Sequence, residues 1–240
     1  MTPLFSIVTP TMNRSDYLPD MINGILEQKV QDWELIVVDD GGNDSTPELM
    51  EFYTIADERI KYFRKRHSGI AKTRNYGNSR ARGKWIIVSD SDDIWEHNRL
   101  ELLQKYIKKH PKIDFIYGGM LWASHSGEMV KEYWRPSELT AEKLRSGNQG
   151  VIHGACAYKK WVAEEVPYRP EQKINDDYWF IVDCWNKGVE FGFINAPLMR
   201  YRILPDGVSR VNYDKIQAEI KRKLKKEVIY DRRCKRIQNE

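Results

Sequence analysis

Cysteine is scarce in this sequence. Three cysteines occur among the 240 residues, Cys156, Cys184 and Cys234, and none of them belongs to a C-x-x-C pair. A disulfide framework needs an even set of cysteines, and structural zinc sites need closely spaced ones. The sequence therefore disfavours both classes and is typical of a protein from a reducing compartment.

Long apolar runs are absent as well. No stretch approaches the roughly 18 consecutive apolar residues that a membrane span requires. Residues 1–4 lead directly into a strand pattern, without the basic and apolar segments of a secretory leader. These absences predict a soluble cytoplasmic protein, which contacts a membrane at most peripherally, at the inner face of that membrane.

The glycine-rich turn that cradles phosphates in many nucleotide-binding folds is also missing. Residues 9–14, which follow the first predicted strand, read TPTMNR and contain no glycine. Dinucleotide oxidoreductases need G-x-G-x-x-G at this point. Sugar nucleotidyltransferases place a glycine-rich loop with a basic residue there, so the sequence disfavours both enzyme classes.

Positive charge is concentrated at one end of the chain. The net charge is +4, whereas residues 214–240 alone carry ten Lys and Arg against five Asp and Glu, which leaves −1 for residues 1–213. A nucleic-acid-binding protein usually shows a basic face within its folded body. The distribution therefore predicts a basic tail and no nucleic-acid partner.

Short apolar runs alternate with helical patterns through the first half of the chain. Residues 4–10, 34–40, 60–64 and 85–89 are predicted strands, and an amphipathic segment separates each from the next. This β-α-β-α-β-α-β series indicates an α/β fold with a mostly parallel sheet and helices on both faces. A chain of this length suits one such domain.

The second half is less regular. A helix over residues 98–109 and a strand over 113–117 are followed by residues 118–150, where no period is clear. Helices are then predicted near residues 160–165 and 175–187, and strands over 190–194 and 199–203. In the tail, apolar residues recur every four positions among Lys and Arg, at Ile216, Ile220, Leu224 and Val228. Such a helix can lie on an anionic membrane or dock against the body or a second subunit.

Carboxylates follow the fourth predicted strand. The apolar residues 85–88 end in Asp90, Ser91, Asp92 and Asp93. Ligands bind at the carboxyl ends of parallel strands, and side chains two residues apart project to the same side of an extended chain. Asp90 and Asp92 thus make half of a site for a hard divalent cation. The alternative interpretation is an acidic, solvated loop.

Other polar residues are predicted at the same edge of the sheet. Thr9 ends the first strand, and Asp39 and Asp40 end the second. A further acidic pair, Asp176 and Asp177, begins a helix far downstream, where Asn175 or Asp176 is also suited to capping that helix.

Five segments together, in this order, resemble the family 2 glycosyltransferases, whose fold is called GT-A. They are residues 6–10 (SIVTP), 37–41 (VVDDG), 69–77 (GIAKTRNYG), 89–93 (SDSDD) and 175–179 (NDDYW). The resemblance covers residues 4–210 and implies a Rossmann-like, mostly parallel sheet flanked by helices, with a smaller acceptor-side subregion. It implies a domain over residues 1–212, with a nucleotide-binding half at 1–117 and an acceptor-side half at 118–212. A basic helix over 213–240 follows.

The resemblance also implies an activity: inverting transfer of a sugar from a nucleotide-diphosphate sugar, with a UDP-sugar expected first. The acceptor would be a hydroxyl on a glycan, a lipid-linked or another molecule, in polysaccharide or glycoconjugate biosynthesis. A divalent cation, Mn²⁺ or Mg²⁺, would bind the diphosphate.

Roles are carried over position by position from that resemblance. Nucleotide contacts are expected from Thr9, Asp39, Asp40, Arg74 and Asp90. The D-x-D motif supplies Asp92 as direct metal ligand and Asp90 as its companion, and Asp177 is the expected general base. Asp40 is equally suited to shaping a turn, and Arg74 to a solvated helix surface.

The acceptor or diphosphate side is expected to include Trp134, His153, Asp176, Arg202 and Arg210. Many relatives carry a histidine shortly after a Tyr-Arg pair, but here Leu204 stands at that position. A cation such as Arg202 or Arg210 is therefore expected to receive the phosphates. Trp134 is the candidate for stacking on a sugar, whereas Trp179 and Trp185 are predicted to be core residues. His153 either borders the acceptor or is a packed histidine.

Two other functions stay open. A catalytically silent GT-A subunit that binds or acts as a scaffold is consistent with the missing histidine, although the intact Asp90, Asp92 and Asp177 disfavour it. A sugar nucleotidyltransferase is the less favoured alternative, for the reason given above.

Overall fold

The computed structural model describes residues 2–147, 150–172, 175–205, 213–225 and 228–230. Within these residues the strands are β1 (Phe5–Thr11), β2 (Trp33–Asp39), β3 (Ile60–Arg64), β4 (Trp85–Val88), β5 (Ile94–Trp95), β6 (Phe115–Ala123), β7 (Met129–Trp134), β8 (Cys156–Lys159) and β9 (Phe191–Arg202). The α-helices are α1 (Leu18–Leu26), α2 (Thr46–Ala56), α3 (Ile70–Arg80), α4 (Arg99–Lys109), α5 (Ala141–Ser146), α6 (Lys160–Glu165), α7 (Asp176–Lys187) and α8 (Tyr213–Leu224).

The strands form one mixed sheet in the order β3-β2-β1-β4-β8-β6-β9-β5, and β7 pairs with β6. The first four in this order are mutually parallel. β8 is antiparallel to both β4 and β6, and β6 and β9 are parallel. The predicted α/β class with a mostly parallel sheet is confirmed, and the ends of β1, β2 and β4 lie side by side at one edge.

The core lies in two layers, one on each face of the sheet. Ile7, Leu35 and Ile87 pack with α1 and α4 on one face, whereas Val8 and Ile36 pack with α3 and α7 on the other. Adjacent residues of one strand therefore enter opposite layers, which explains why these strands are continuously apolar. Trp179 and Trp185 are fully buried in the second layer, as predicted.

Strand β1 continues past Pro10, where the sequence predicted its end. The carbonyl of Val8 accepts from Ser89 of the β4 side and that of Thr11 accepts from Asp40 of the β2 side. Because backbone groups alternate sides, the nitrogen of Pro10 faces the β4 side. β4 has already ended there at Val88, so no ladder hydrogen bond is lost to the proline.

The segment 118–150 is more regular than predicted. β6 runs to Ala123, β7 returns antiparallel to it, and the two strands expected over 190–203 are the single strand β9. Two glycines obscured the pattern. A Cβ at Gly118 would lie 2.5 Å from Leu198, and one at Gly119 would lie 2.2 Å from Tyr133. Glycine at these two positions leaves room for the side chains of Leu198 and Tyr133, which come from the neighbouring strands β9 and β7.

The tail packs on the body of the protein. Ile220 is 3% exposed within the same core layer as α7, and Leu224 packs beside it. The Trp185 indole donates to the carbonyl of Tyr230 at 2.9 Å, and the Asn186 amide donates to that of Val228 at 2.7 Å. Docking on the body, one of the two interpretations of the stripe, therefore accounts for Ile220 and Leu224. Val228 is 64% exposed and does not continue the stripe.

No helix in the described part of the chain is both long and apolar enough to cross a bilayer.

We expect Ile220→Ala to destabilise the protein by about 2–4 kcal/mol, because a buried isoleucine truncated to alanine leaves a cavity. Lys221→Ala, at the exposed neighbouring position, should change the free energy of unfolding by less than about 0.5 kcal/mol. Urea unfolding followed by circular dichroism measures both. Equal stabilities of the two variants would contradict the docked arrangement of α8.

Candidate active site

The acidic loop after β4 presents two carboxylates and buries two other side chains. The side chains of Asp90 and Asp92 are 30% and 29% exposed. Ser91 and Asp93 are buried, at 7% and 4%. The predicted alternation is confirmed. An acid after a strand often begins the next helix, but Asp93 does not. It lies beside β5, and α4 begins only at Arg99.

Asp90 and Asp92 lie within each other's electrostatic field. Burial raises the pKa of Asp92 above its usual range, and the charge of Asp90 raises it further, against the opposing charge of Arg14. The Arg14 Nε lies 3.5 Å from Oδ2 of Asp92. Two partly exposed carboxylates that repel each other are the donor set that a hard divalent cation stabilises.

The residues present fit such a cation in an open site and not in a closed cage. Among the described residues no group of three or more His, Cys, Asp or Glu side chains converges on one point. A cation held by Asp90 and Asp92 alone keeps most of its coordination positions for other oxygen ligands, as Mg²⁺ does with phosphates.

Arg74 connects this loop to the beginning of α7. Its Nη2 donates to Oδ1 of Asp90 at 2.9 Å, and its Nη1 donates to Oδ2 of Asp176. The residue is 8% exposed, so it is not the solvated surface arginine that the sequence left open. Burial lowers the pKa of Arg74, but the adjacent carboxylates outweigh burial and raise the pKa well above the ordinary value. The guanidinium is therefore a permanent buried cation between two acids.

Asp177 is partly exposed next to that ion pair. Burial and the charge of Asp176 raise its pKa to about 6, against the opposing charge of Arg74. A carboxylate with this pKa is ionised at neutral pH and accepts a proton more readily than an ordinary aspartate. Asn175 precedes the helix with a φ of 63° and makes no side-chain capping hydrogen bond. Asp176 is tied to Arg74 and does not cap the helix either.

Asp39 and Asp40 build loops. Oδ1 of Asp39 accepts from the amides of Gly41 and Gly42 at 3.0 and 2.9 Å, and Tyr62 donates to its Oδ2 at 2.9 Å. A nucleotide contact was predicted for Asp39, but the residue is 0% exposed and its carboxylate does not face the crevice. The reason is that the turn itself supplies the donors that the carboxylate needs.

The turn-shaping interpretation holds for Asp40. Its carboxylate accepts from the amides of Ser68 and Gly69, at 2.9 and 2.8 Å, and pairs with Lys65. Gly69 precedes α3 with a φ of 94°. Asp40 therefore fixes the loop from which α3 starts and from which Arg74 is presented.

Thr9 was predicted to contact the nucleotide, but its side chain lies inside the protein. It is 0% exposed, and its hydroxyl faces the sulfur of Met21 at 3.9 Å. Because β1 continues to Thr11, position 9 lies within the strand and its side chain points into a core layer. The predicted contact is not available to the hydroxyl of Thr9.

Arg202 binds the backbone of the acidic loop from the interior of the protein. Its Nε donates to the carbonyl of Asp92 at 3.0 Å, its Nη1 to the carbonyl of His125 at 2.7 Å, and its Nη2 to Asp20 at 2.6 Å. The side chain is 3% exposed. These hydrogen bonds position Asp92 and turn the guanidinium away from the crevice. The prediction that Arg202 receives the phosphates is therefore wrong for this arrangement.

The remaining acceptor-side candidates fall in different places. His153 is 6% exposed, and its Nε2 lies 2.8 Å from the Tyr168 hydroxyl. Burial and the nearby Arg74 lower its pKa well below the usual value, so it is the packed, neutral histidine of the two interpretations. Trp134 is half-buried at the end of β7, and sugar stacking by it stays a prediction. Arg210 lies outside the described residues.

Two residues of the site escaped sequence reasoning. Arg14 reaches Asp92 from the loop after β1, and a cation following a strand at the ligand-binding edge was an available signal. Tyr168 lies with its ring centroid 5.6 Å from the Arg74 guanidinium carbon. It comes from an irregular segment whose position no periodic pattern indicates.

The sequence of this chain is similar to those of known glycosyltransferases. The family model described as "Glycosyl transferase family 2" matches residues 6–166. A protein from Methanocaldococcus jannaschii, "Uncharacterized glycosyltransferase MJ1057", is 28% identical over 207 residues, which are 84% of this chain and 71% of that protein.

Two solved structures share the fold. S. aureus TarS residues 1–349 in complex with UDP-GlcNAc has a TM-score of 0.69 at 19% identity, over 90% of this chain and 65% of that one. The mannosyltransferase PcManGT from Pyrobaculum calidifontis, in complex with GDP-Man and Mn²⁺, has a TM-score of 0.72 at 16% identity, over 95% of this chain and 66% of that one. The matches span 55%, 16% and 36% of the length of three further relatives.

We expect Asp40→Asn to destabilise the protein by about 1.5–3 kcal/mol at neutral pH, the range for hydrogen bonds to a charged group. Burial raises the pKa of Asp40, but hydrogen bonds from Lys65, Gly69 and Ser68 outweigh it and hold the pKa below its ordinary value. A depressed pKa stabilises the folded state above the unfolded-state pKa, and this contribution is lost as the pH falls through the folded-state pKa.

The difference between wild type and Asp40→Asn should therefore be constant from pH 6 to 7 and shrink below a pH of about 4. Urea unfolding across this pH range measures it, with Asp32→Asn, an exposed position, as the control. A difference that persists unchanged at a pH of about 3 would show that the charge of Asp40 is not responsible.

Proposed function

Because the chain belongs to glycosyl transferase family 2, we propose that it transfers a sugar from a nucleotide-diphosphate donor to a hydroxyl acceptor, with inversion at the anomeric carbon. One observation carries the proposal. Arg74 joins the partly exposed Asp90 of the D-x-D motif to Asp176 at the start of α7, at the carboxyl edge of the sheet. That edge is where ligands bind in α/β sheets.

A UDP-sugar is the donor that we propose first. TarS was solved with UDP-GlcNAc and PcManGT with GDP-Man and Mn²⁺, so these neighbours bind two different bases. We propose that residues 1–117, which carry Asp90, Asp92 and Arg74, form the donor half. Residues 118–212, which carry Asp177, form the acceptor half. The buried thiols of Cys156 and Cys184 support our proposal of a reducing, cytoplasmic location.

We propose Asp90 and Asp92 as the residues that hold a divalent cation, Mn²⁺ or Mg²⁺. Such a cation, when bound, supplies Lewis-acid stabilisation to a departing diphosphate. Arg14, which pairs with Asp92 from the neighbouring loop, adds a second positive charge on this side. The carbonyl of Asp92 is held by Arg202, so the loop that carries the ligand is fixed before any donor binds.

Asp177 is the general base in this proposal. Its ionised carboxylate accepts the proton of the acceptor hydroxyl while that oxygen attacks the anomeric carbon. The new bond forms on the face opposite the diphosphate, whose bond to carbon breaks with its electron pair. A single displacement of this kind inverts the configuration, and the raised pKa of Asp177 favours the proton transfer.

A catalytically silent binding or scaffold subunit is the second candidate. Leu204 is 2% exposed where many relatives carry a histidine, and the carboxylate of Asp39 is fully enclosed by its turn. Both features remove ligand contacts that an active relative would use. A failure to bind any nucleotide would favour this candidate over transfer.

Donor binding provides the first test. We expect UDP with Mn²⁺ or Mg²⁺ to raise the thermal midpoint of the wild type, because a ligand that binds only the folded state stabilises it. Asp92→Ala should abolish the metal-dependent part of the shift, and Asp32→Ala, at the opposite end of β2, should retain it. If GDP raised the thermal midpoint and UDP did not, the proposed donor would be a GDP-sugar and not a UDP-sugar.

The base provides the second test. Asp177→Asn should bind the donor nearly as well as the wild type and release nucleotide about 10²- to 10⁴-fold more slowly, the usual contribution of a general base. Hydrolysis of the donor, with water as acceptor, allows this measurement before the natural acceptor is known. Asp183→Asn on the same helix is the control. Normal turnover by Asp177→Asn would mean that another group is the base.

A further inference from the structure

Arg74 and Asp176 have a position that the proposed function does not yet use. The two side chains form a buried ion pair between α3 and α7, and neither Asp176, 6% exposed, nor Arg74, 8% exposed, is open to solvent. The second Nη of Arg74 continues to Asp90, which is partly exposed on the donor side. The guanidinium thus links the donor side to the residue immediately before Asp177.

The surroundings hold the guanidinium in place. Tyr168, which is fully buried, packs against Arg74. Its backbone amide and carbonyl both bond to the Asn75 side chain, at 2.9 and 2.8 Å. Because Asn75 follows Arg74 on α3, the tyrosine and the arginine are fixed to the same helix. A planar guanidinium holds two carboxylates in a fixed relative orientation through its two Nη groups, whereas the rotatable ammonium of a lysine does not impose that geometry.

The first turn of α7 needs such an anchor. Asn175 lies in the left-handed region, with a φ of 63°, and its side chain gives the helix no capping hydrogen bond. Asp176, the first residue of the helix, is instead tied across to α3. The direction of the next side chain, Asp177, follows from that tie, because consecutive helical residues are rigidly related.

We propose that Arg74 and Asp176 are positioning residues for Asp177: the guanidinium, held between Asp90 and Asp176, orients the base and couples it to the donor-side carboxylate. This inference rests on the proposed function of Asp177 as the general base. It assigns a task to Asp176 that helix capping does not explain, and it separates the acidic pair into one anchoring and one reacting carboxylate.

The charges around Asp177 make the idea measurable. Asp176 on its own helix and Asp90 on the β4 loop raise the pKa of Asp177, and Arg74 from α3 lowers it. The thiol of Cys156 on β8 also lies within the field of Asp177 and stays protonated because burial raises its pKa. Loss of the Asp176 charge should therefore move the titration of Asp177 to lower pH, and loss of the Arg74 charge should move it higher.

The decisive experiment is a ¹³C NMR titration of aspartate carboxyl groups in the full chain without substrate. The signal of Asp177 is identified by its absence from Asp177→Asn. In the wild type we expect it to titrate near pH 6. In Asp176→Asn it should titrate at lower pH, and in Asp176→Glu and Arg74→Lys, which keep the charges, it should stay close to the wild type. The matched control is Asp183→Asn. Asp183 also lies on α7, further along the helix, and this variant loses an ion pair with Arg169.

Turnover separates charge from geometry. Arg74→Lys should lower kcat for nucleotide release by about 10- to 100-fold, the scale expected for a misplaced catalytic group, although Asp177 titrates normally. Asp176→Glu should recover most of the activity that Asp176→Asn loses, and the acidic limb of its pH profile should return toward that of the wild type.

The outcomes that overturn the proposal are distinct from those that overturn the function. An Asp177 titration that is unchanged in Asp176→Asn would reduce Asp176 to a structural role, as would equal losses of kcat in Asp176→Asn and Asp176→Glu. If Asp177→Asn turns over normally, the proposed base is wrong. The NMR titration is independent of turnover, so it still shows whether Asp176 controls the charge at Asp177.

Discussion

One buried guanidinium holds the candidate site together. Arg74 lies between Asp90 and Asp176 and within the field of Asp177, so three carboxylates share one permanent positive charge. Without it, carboxylates at this separation would repel one another and take up protons or move apart. Removing one partner of a buried ion pair also leaves the other charge without compensation. The rest of the site depends on α3 delivering this side chain.

Four acids at the edge of the sheet fall into two pairs that differ in their hydrogen-bond partners and in their exposure to solvent. Asp39 and Asp40 are enclosed, because backbone amides of the following loops occupy their oxygens. Asp90 and Asp92 stay partly exposed and repel each other. The enclosed acids shape the loops, and the exposed acids are left for a ligand. Asp40 connects the two pairs indirectly. It fixes Gly69 at the start of α3, and Arg74 on that helix binds Asp90.

Sequence reasoning succeeded where structure follows from local periodicity. The continuous apolar runs predicted β1 to β4 and the parallel half of the sheet, and burial on both faces is the reason that such runs occur. It predicted the start of β6 but missed residues 118–123 of that strand and all of β7, because Gly118 and Gly119 interrupt the apolar pattern while leaving room for side chains of the neighbouring strands. It also misjudged Thr9 and Arg202. The residue types were suitable for binding, but their surroundings direct them to the interior and to the back of the acidic loop.

The sequence by itself determined the fold class, the family and the set of acids that gather at the sheet edge, because apolar period and motif order are local properties of the chain. Only the tertiary structure decided which of those acids are free to meet a ligand. That choice depends on which donors arrive from elsewhere, and the donor to Asp176 is 102 residues away along the chain. No local pattern predicts a contact over that separation. The pairing of Asp176 with Arg74, which leaves Asp177 partly exposed, arises only when α3 and α7 pack together.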